Sequence, residues 1–122
     1  MVLTNSIKKS INTLLMIAGT VTSLLIISTL ICYIFNLNIY LSVIIKSVLE
    51  MTMGLSSLSL LGIKDIYKVV FSSMIISFGG LSIHLQVISI LEDIRYRNYF
   101  KGRIYQSVIS GIISLLLFIT FV

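Results

Sequence analysis

Residues 77–87 read SFGGLSIHLQV and lie inside a stretch that is otherwise apolar enough to cross a bilayer. A helix that only anchors a protein needs neither adjacent glycines nor polar side chains at its centre. Gly79 and Gly80 each cost roughly 1 kcal/mol in a helix interior relative to alanine, so we expect the helix to open near Gly79 and a half-helix to begin near Ser82. Unpaired main chain at membrane depth is tolerated only where protein or a watery cavity covers it. The stretch therefore predicts a site for something small and polar.

The composition indicates an integral membrane protein. The chain has 122 residues, of which 57% are hydrophobic and only 11% are charged, whereas soluble domains contain about 25% charged residues. No charge occurs between Lys9 and Lys46, a gap longer than the roughly 20 residues that cross a bilayer. Cys32 is the only cysteine and His84 the only histidine, too few for a zinc site. We therefore predict no metal and no cofactor, and we attribute the net charge of +5 to lipid headgroups and loop topology rather than to nucleic acid.

Four apolar segments follow one another along the chain, at 11–35, 39–63, 69–91 and 104–122. If all four cross from a cytoplasmic N-terminus, the cations divide four against four, and the positive-inside bias disappears. If segment 39–63 enters the membrane and returns to the same side, six cations lie inside and two outside. If segment 69–91 does so instead, all eight lie inside. Charge counting therefore favours three crossings and one re-entrant hairpin, and it leaves open which segment is the hairpin.

The centre of segment 39–63 carries Glu50 and Thr52. With about eleven residues on either side, each half would reach roughly 16 Å, which is about half of the hydrocarbon thickness. A carboxylate at that depth costs at least about 3 kcal/mol unless it is paired or solvated. Two interpretations of Glu50 remain open: an ion pair with Lys46, or a group at a hairpin tip that contacts a ligand or handles a proton.

Polar residues also follow the two glycines of segment 69–91. The N-terminus of a half-helix that starts there would attract a carboxylate or another anionic group. Ser82, Gln86 and Ser89 lie at i, i+4 and i+7 and are expected to share one face directed into the bundle, with His84 about 160° away. His84 is expected to hydrogen-bond to a neighbouring helix and is kept as an additional candidate. The candidate solute-contacting residues are Glu50, Thr52, Gly79, Gly80, Ser82 and Gln86.

No signature of a known enzyme class is present: the chain has no GxSxG elbow, phosphate-binding loop, HExxH motif or cluster of carboxylates. We therefore do not expect an enzyme. Ser107, Gly111 and Ser114 form a small-residue stripe that favours close helix packing, as does the stretch around Gly19.

Three blocks of sequence carry a resemblance to a known family. They are LEMTMGLSSLS (49–59), SMIISFGGLSIHLQVISIL (73–91) and DIRYRNYFKGRIYQ (93–106). Together they resemble the C-terminal part of the YlbJ (SpoVV) family of sporulation integral membrane proteins. These proteins carry a Gate, or nucleoside-recognition, domain and are similar to concentrative nucleoside transporters. The resemblance covers about residues 45–115 and is most specific in residues 78–87.

The resemblance implies an all-α integral membrane fold like the second repeat of a concentrative nucleoside transporter. It would contain three crossing helices, one of them broken at Gly79–Gly80, and a re-entrant helical hairpin at 39–63. The family is implicated in moving dipicolinate, a small dicarboxylate, into the developing spore of endospore-forming Firmicutes. Family members are several times longer and hold both repeats, so the resemblance implies a missing N-terminal repeat or a homo-oligomer partner.

The sequence therefore predicts a single membrane domain (1–122) of a sporulation transport protein, or the C-terminal half of one. We expect it in the cell membrane or the forespore membrane with a cytoplasmic N-terminus. A non-transporting membrane scaffold or assembly subunit is the alternative.

Overall fold

A computed structural model describes residues 1–90 and 95–122. All regular elements in these ranges are helices, which confirms the all-α class: α1 (Val2–Ile34), α2 (Ile39–Leu49), α3 (Met51–Ser59), α4 (Asp65–Phe78), α5 (Gly80–Ile90) and α6 (Tyr96–Phe121). The last residue of the predicted segment 69–91 lies outside the described residues.

Three of the described stretches are long and apolar enough to cross a membrane: Val2–Ile34, Asp65–Ser89 and Tyr96–Phe121. The second of these comprises α4 and α5. With 11 and 9 residues, α2 and α3 reach only about 16 Å and 13 Å, so neither crosses alone. The chain is an integral membrane protein whose exposed apolar side chains require a lipid environment.

The first helix begins at Val2, earlier than the apolar segment that starts at residue 11. Its end coincides with the polar Asn36-Leu37-Asn38 sequence. Asn36 has a left-handed φ of 48°, which an α-helix cannot continue. The Asn38 side chain then accepts a hydrogen bond of 2.9 Å from the Leu41 N–H and caps α2.

The chain reverses direction at Glu50, between α2 and α3. Glu50 has extended backbone angles (φ −145°, ψ 119°), so the two helices do not form one continuous rod. Gly54 of α3 packs directly on Ser47 of α2: a Cβ at Gly54 would overlap the Ser47 backbone and lie 2.8 Å from its Cβ. Residues this close in sequence meet face to face only because α2 and α3 fold back on one another, so residues 39–59 form a helical hairpin.

Helices α4 and α6 pack antiparallel through serine and glycine. The Ser107 hydroxyl donates to the Met74 carbonyl at 2.9 Å, and the Ser110 hydroxyl donates to the Ser73 carbonyl at 3.2 Å. A Cβ at Gly111 would lie 2.7 Å from the Met74 Cγ. The small-residue stripe of α6 therefore brings these two helices together within the chain.

The hairpin also packs against α1 and α4. Ser28 of α1 is fully buried, and its hydroxyl lies 3.6 Å from the Met53 sulfur of α3. A small apolar core on the other side contains Val43, Leu58 and Leu61. These contacts hold the hairpin between the long helices and fix the position of its tip at Glu50.

The hairpin packing predicts opposite outcomes for two glycine variants. Gly54→Leu should lower the free energy of unfolding by about 2–3 kcal/mol, because the new side chain forces α2 and α3 apart. Gly19→Leu in α1 should leave it unchanged or raise it slightly, because a Cβ there meets nothing within 4 Å and leucine is the better helix former. Thermal unfolding in detergent, followed by circular dichroism, measures both. Equal stability of the two variants would contradict the hairpin.

Candidate functional site

Two interrupted helices meet at their interruptions. A Cβ built on Gly80, at the start of α5, would lie 3.1 Å from the Met51 nitrogen and 3.5 Å from the Leu49 carbonyl oxygen. Leu49 and Met51 flank Glu50 at the hairpin tip. The break between α4 and α5 therefore rests against the main chain of the turn between α2 and α3.

Both glycines at this break have backbone angles that side chains disfavour. Gly79 ends α4 with φ 84°, and Gly80 follows with φ 71°, in the left-handed region that glycine occupies without a steric penalty. The Gly79 N–H still donates to the Ile75 carbonyl at 2.9 Å. The half-helix α5 begins at Gly80 rather than near Ser82, so the positive end of its dipole lies at the hairpin tip.

Glu50 is 3% exposed and caps α3 with its side chain. Its Oε2 accepts the Met53 N–H at 3.0 Å and also accepts the Thr52 hydroxyl. These groups, rather than the ammonium of Lys46, are the polar partners of the carboxylate among the described residues. The carboxyl group therefore lies at the positive end of the α3 dipole, and the ion pair with Lys46 considered from sequence is not formed.

His84 of α5 is fully buried and contacts α4 and α6. Its Nδ1 lies 3.0 Å from the Tyr99 hydroxyl of α6, the contact with a neighbouring helix that the sequence predicts. Its ring packs edge-on against Phe78 and Phe100, with centroids 4.8 Å and 5.0 Å away. The other nitrogen, Nε2, has no hydrogen-bond partner in the described part of the chain.

The inward face of α5 differs from the predicted one. Ser82 is 1% exposed and His84 is fully buried, but Gln86 is half-buried and Ser89 is exposed, with its hydroxyl bonded to the Gln86 carbonyl. The expectation that Ser82, Gln86 and Ser89 share one inward face is therefore wrong beyond the first turn. Two successive positive φ angles redirect α5, and the His84 ring fills the space beside α6.

Tyr99 and Arg103, both on α6, lie beside the break. The Arg103 guanidinium donates to the Ser77 carbonyl at 3.4 Å, near the C-terminus of α4. Its Cζ also lies 5.5 Å from the centre of the Tyr99 ring. A cation at a helix C-terminus is favourable, so Arg103 stabilises the end of α4. Tyr99 and Arg103 are four residues apart and therefore lie on one face of α6. This spacing is the sequence feature that could have indicated that they act together.

The chemistry available at the junction is that of polar binding. Glu50 supplies a buried acceptor, Thr52 and Ser82 supply hydroxyls, and α5 supplies its first N–H groups. No group of three His, Cys, Asp or Glu side chains within residues 1–90 and 95–122 could hold a metal ion. The site residues predicted from sequence thus divide into a group at the junction (Glu50, Thr52, Gly79, Gly80 and Ser82) and Gln86, which lies further along α5.

Comparison with known proteins gives one curated relative. The chain is 27% identical, over an alignment of 136 positions, to the sporulation integral membrane protein YlbJ of Bacillus subtilis (strain 168). The alignment covers 95% of this chain but 33% of that protein, so the chain spans about one third of the length of its relative. No family model matches the chain, and no solved structure matches it. The similarity extends over α1 as well as the three sequence blocks that first indicated it.

The cap on α3 predicts a difference between two Glu50 variants. Glu50→Leu should lower the free energy of unfolding by about 1–3 kcal/mol, because the half-buried Met53 N–H loses its acceptor. Glu50→Gln should be close to wild type, because its amide oxygen accepts the same hydrogen bond. Thermal unfolding in detergent measures both; the same loss for glutamine and leucine would exclude a capping role.

The contact between His84 and Tyr99 predicts a coupled effect. Tyr99→Phe should cost about 1–3 kcal/mol of stability, because both His84 nitrogens then lack a partner among residues 1–90 and 95–122. Tyr105→Phe, at an exposed tyrosine of the same helix, should cost almost nothing. In a His84→Phe background the effect of Tyr99→Phe should largely disappear. An undiminished effect in that background would show that the hydroxyl acts elsewhere.

Proposed function

We propose that this chain is a membrane transport protein, or part of one, that holds a small polar or anionic solute where the hairpin tip meets the broken helix. The observation that carries the proposal is the contact of Gly80 with the main chain beside Glu50. Interrupted helices at membrane depth are a feature of solute sites in carriers built from inverted repeats. A plain anchor has no use for two such interruptions in contact.

The proposal makes the α2–α3 hairpin re-entrant. Helices of about 16 Å and 13 Å match half of the roughly 30 Å hydrocarbon core, so a tip at Glu50 lies near the midplane. With a cytoplasmic N-terminus, this topology puts six cations inside and two, Lys64 and Lys68, outside. The break at Gly79–Gly80 then lies at the same depth as the tip.

An anionic solute fits the remaining helix N-terminus. Glu50 already occupies the N-terminus of α3, whereas α5 begins at Gly80 beside the tip, and Ser82 is buried in its first turn. A carboxylate bound there would face the positive end of the α5 dipole. The name of the B. subtilis relative refers to sporulation, and the family resemblance suggests dipicolinate as the solute and the forespore membrane as one location.

A second chain segment would complete such a site. Carriers with inverted repeats bind solute between their two halves, and this chain supplies one of them. The missing N-terminal repeat or a second copy of the chain would supply the other. On α1, a Cβ at Gly19 would meet nothing within 4 Å, so its small-residue surface is open to a partner helix. That surface also supports the alternative function, a non-transporting scaffold, since the stripe of α6 is used within the chain.

Uptake of radiolabelled dipicolinate by cells that make the chain tests the transport proposal. Gly80→Ala should reduce uptake at least about tenfold, because a methyl group at φ 71° presses on the Met51 nitrogen and displaces the tip. Gln86→Leu should also reduce uptake, by removing a polar group of α5. Gly102→Ala, where nothing lies within 4 Å, should retain wild-type uptake.

Protein levels in the membrane fraction are matched before the rates are compared. Wild-type uptake by the Gly80→Ala and Gln86→Leu variants would contradict the proposed site. Uptake by wild-type cells no faster than by cells without the chain would contradict dipicolinate transport by this chain. Under the scaffold alternative, Gly80→Ala leaves complex formation intact, while Gly19→Leu disrupts it.

A further inference from the structure

A groove of about 400 Å³ lies between α2 and α4, on the side of the hairpin away from α1. Its walls are mainly bulky apolar side chains, among them Ile44, Val48, Phe71 and Ile75. The two serines that line it already donate within the protein, Ser47 to Val43 and Ser107 to Met74. Neither serine hydroxyl is therefore free to donate to an occupant, and the bulky apolar walls favour an occupant that is apolar along most of its length.

The groove runs from the start of α4 to its end. Tyr67 lies at one end of it and Phe78 at the other, which corresponds to about 16 Å along the helix axis. That length is close to half of the hydrocarbon core of a bilayer. Tyr40 of α2 and Tyr67 of α4, both about half exposed, mark the end where these helices begin, and tyrosine is enriched at the membrane–water interface.

The shape of the lining favours a lipid chain over another helix. Transmembrane helices approach each other through small residues, as Gly111 and Ser107 do between α6 and α4. The groove instead presents branched and aromatic side chains, which would hold a helix backbone at a distance. A flexible acyl chain can follow such an irregular surface and fill it along its whole length.

Two lysines flank the interfacial end of the groove. Tyr67, Lys68 and Phe71 lie on one side of α4, and Lys64 is the residue that immediately precedes the helix. Lys68 is held in position by a hydrogen bond of 3.1 Å from its Nζ to the Ser59 carbonyl. Asp65 is the acidic neighbour at this end, which leaves one excess positive charge. This arrangement favours an anionic headgroup over a zwitterionic one.

We propose that the groove between α2 and α4 binds one acyl chain of an anionic phospholipid whose headgroup lies against Lys64 and Lys68. The bound chain would pack the hairpin against α4 from the lipid side. This binding site is separate from the junction at Glu50 and Gly80 and does not depend on the solute or on transport.

Native mass spectrometry of the purified chain, released from detergent after incubation with phosphatidylglycerol or phosphatidylcholine, tests the proposal. Wild-type protein should retain one phosphatidylglycerol with an affinity roughly tenfold above that for phosphatidylcholine. The double variant Lys64→Gln, Lys68→Gln should lose this preference. The matched control Lys8→Gln, Lys9→Gln removes the same charge at the exposed N-terminal end of α1 and should keep it.

The acyl chain is tested separately with Ile44→Trp, which fills the groove from its half-exposed α2 wall. This variant should retain at least tenfold less phosphatidylglycerol while unfolding at the wild-type temperature. Three results would overturn the proposal: equal retention of both lipids by the wild type, unchanged retention by the Lys64/Lys68 variant, or a lipid-free dimer that Ile44→Trp dissociates. The last result would assign the groove to a second copy of the chain.

Discussion

The structure depends on how a chain in a membrane covers main chain that leaves helical geometry. Water is absent from the hydrocarbon core, so an unpaired N–H or C=O group there costs several times what it costs at a surface. This chain leaves helical geometry at Glu50 and again at Gly79–Gly80, and it packs the two irregular segments against each other. Each break covers the other, and Glu50, Gly79 and Gly80 are all buried.

Glycine and glutamate have complementary roles in that arrangement. Gly80 lacks the Cβ that would separate the break from the turn, and its positive φ is one that other residues rarely adopt. Glu50 uses its side chain to accept the Met53 N–H, which satisfies one of the N–H groups that the first turn of α3 leaves without a helical partner. Two hydrogen bonds and the dipole of α3 reduce the cost of burying the Glu50 side chain.

The neighbouring helices then hold the junction in position. Helix α6 contacts α4 through serine hydroxyls and Gly111, and its first turns bring Tyr99 and Arg103 to the broken helix. His84 lies at the centre of this contact. Because its ring packs on the last residue of α4 and on α6, the direction of α5 after the break is linked to the position of α6.

Local sequence determined the membrane environment, the helical class and the points at which helices end. The charge-free run before Lys46 indicated membrane-spanning helices. The glycine pair at residues 79 and 80 and the carboxylate at residue 50 indicated where helices are interrupted. These are properties of short segments. Which segments meet was decided only by tertiary packing, because contact between residues thirty positions apart depends on how whole helices fit together. Sequence therefore indicated two breaks, while the packed structure brought them into one junction, turned His84 rather than Ser89 inward, and placed Tyr99 and Arg103 beside the broken helix.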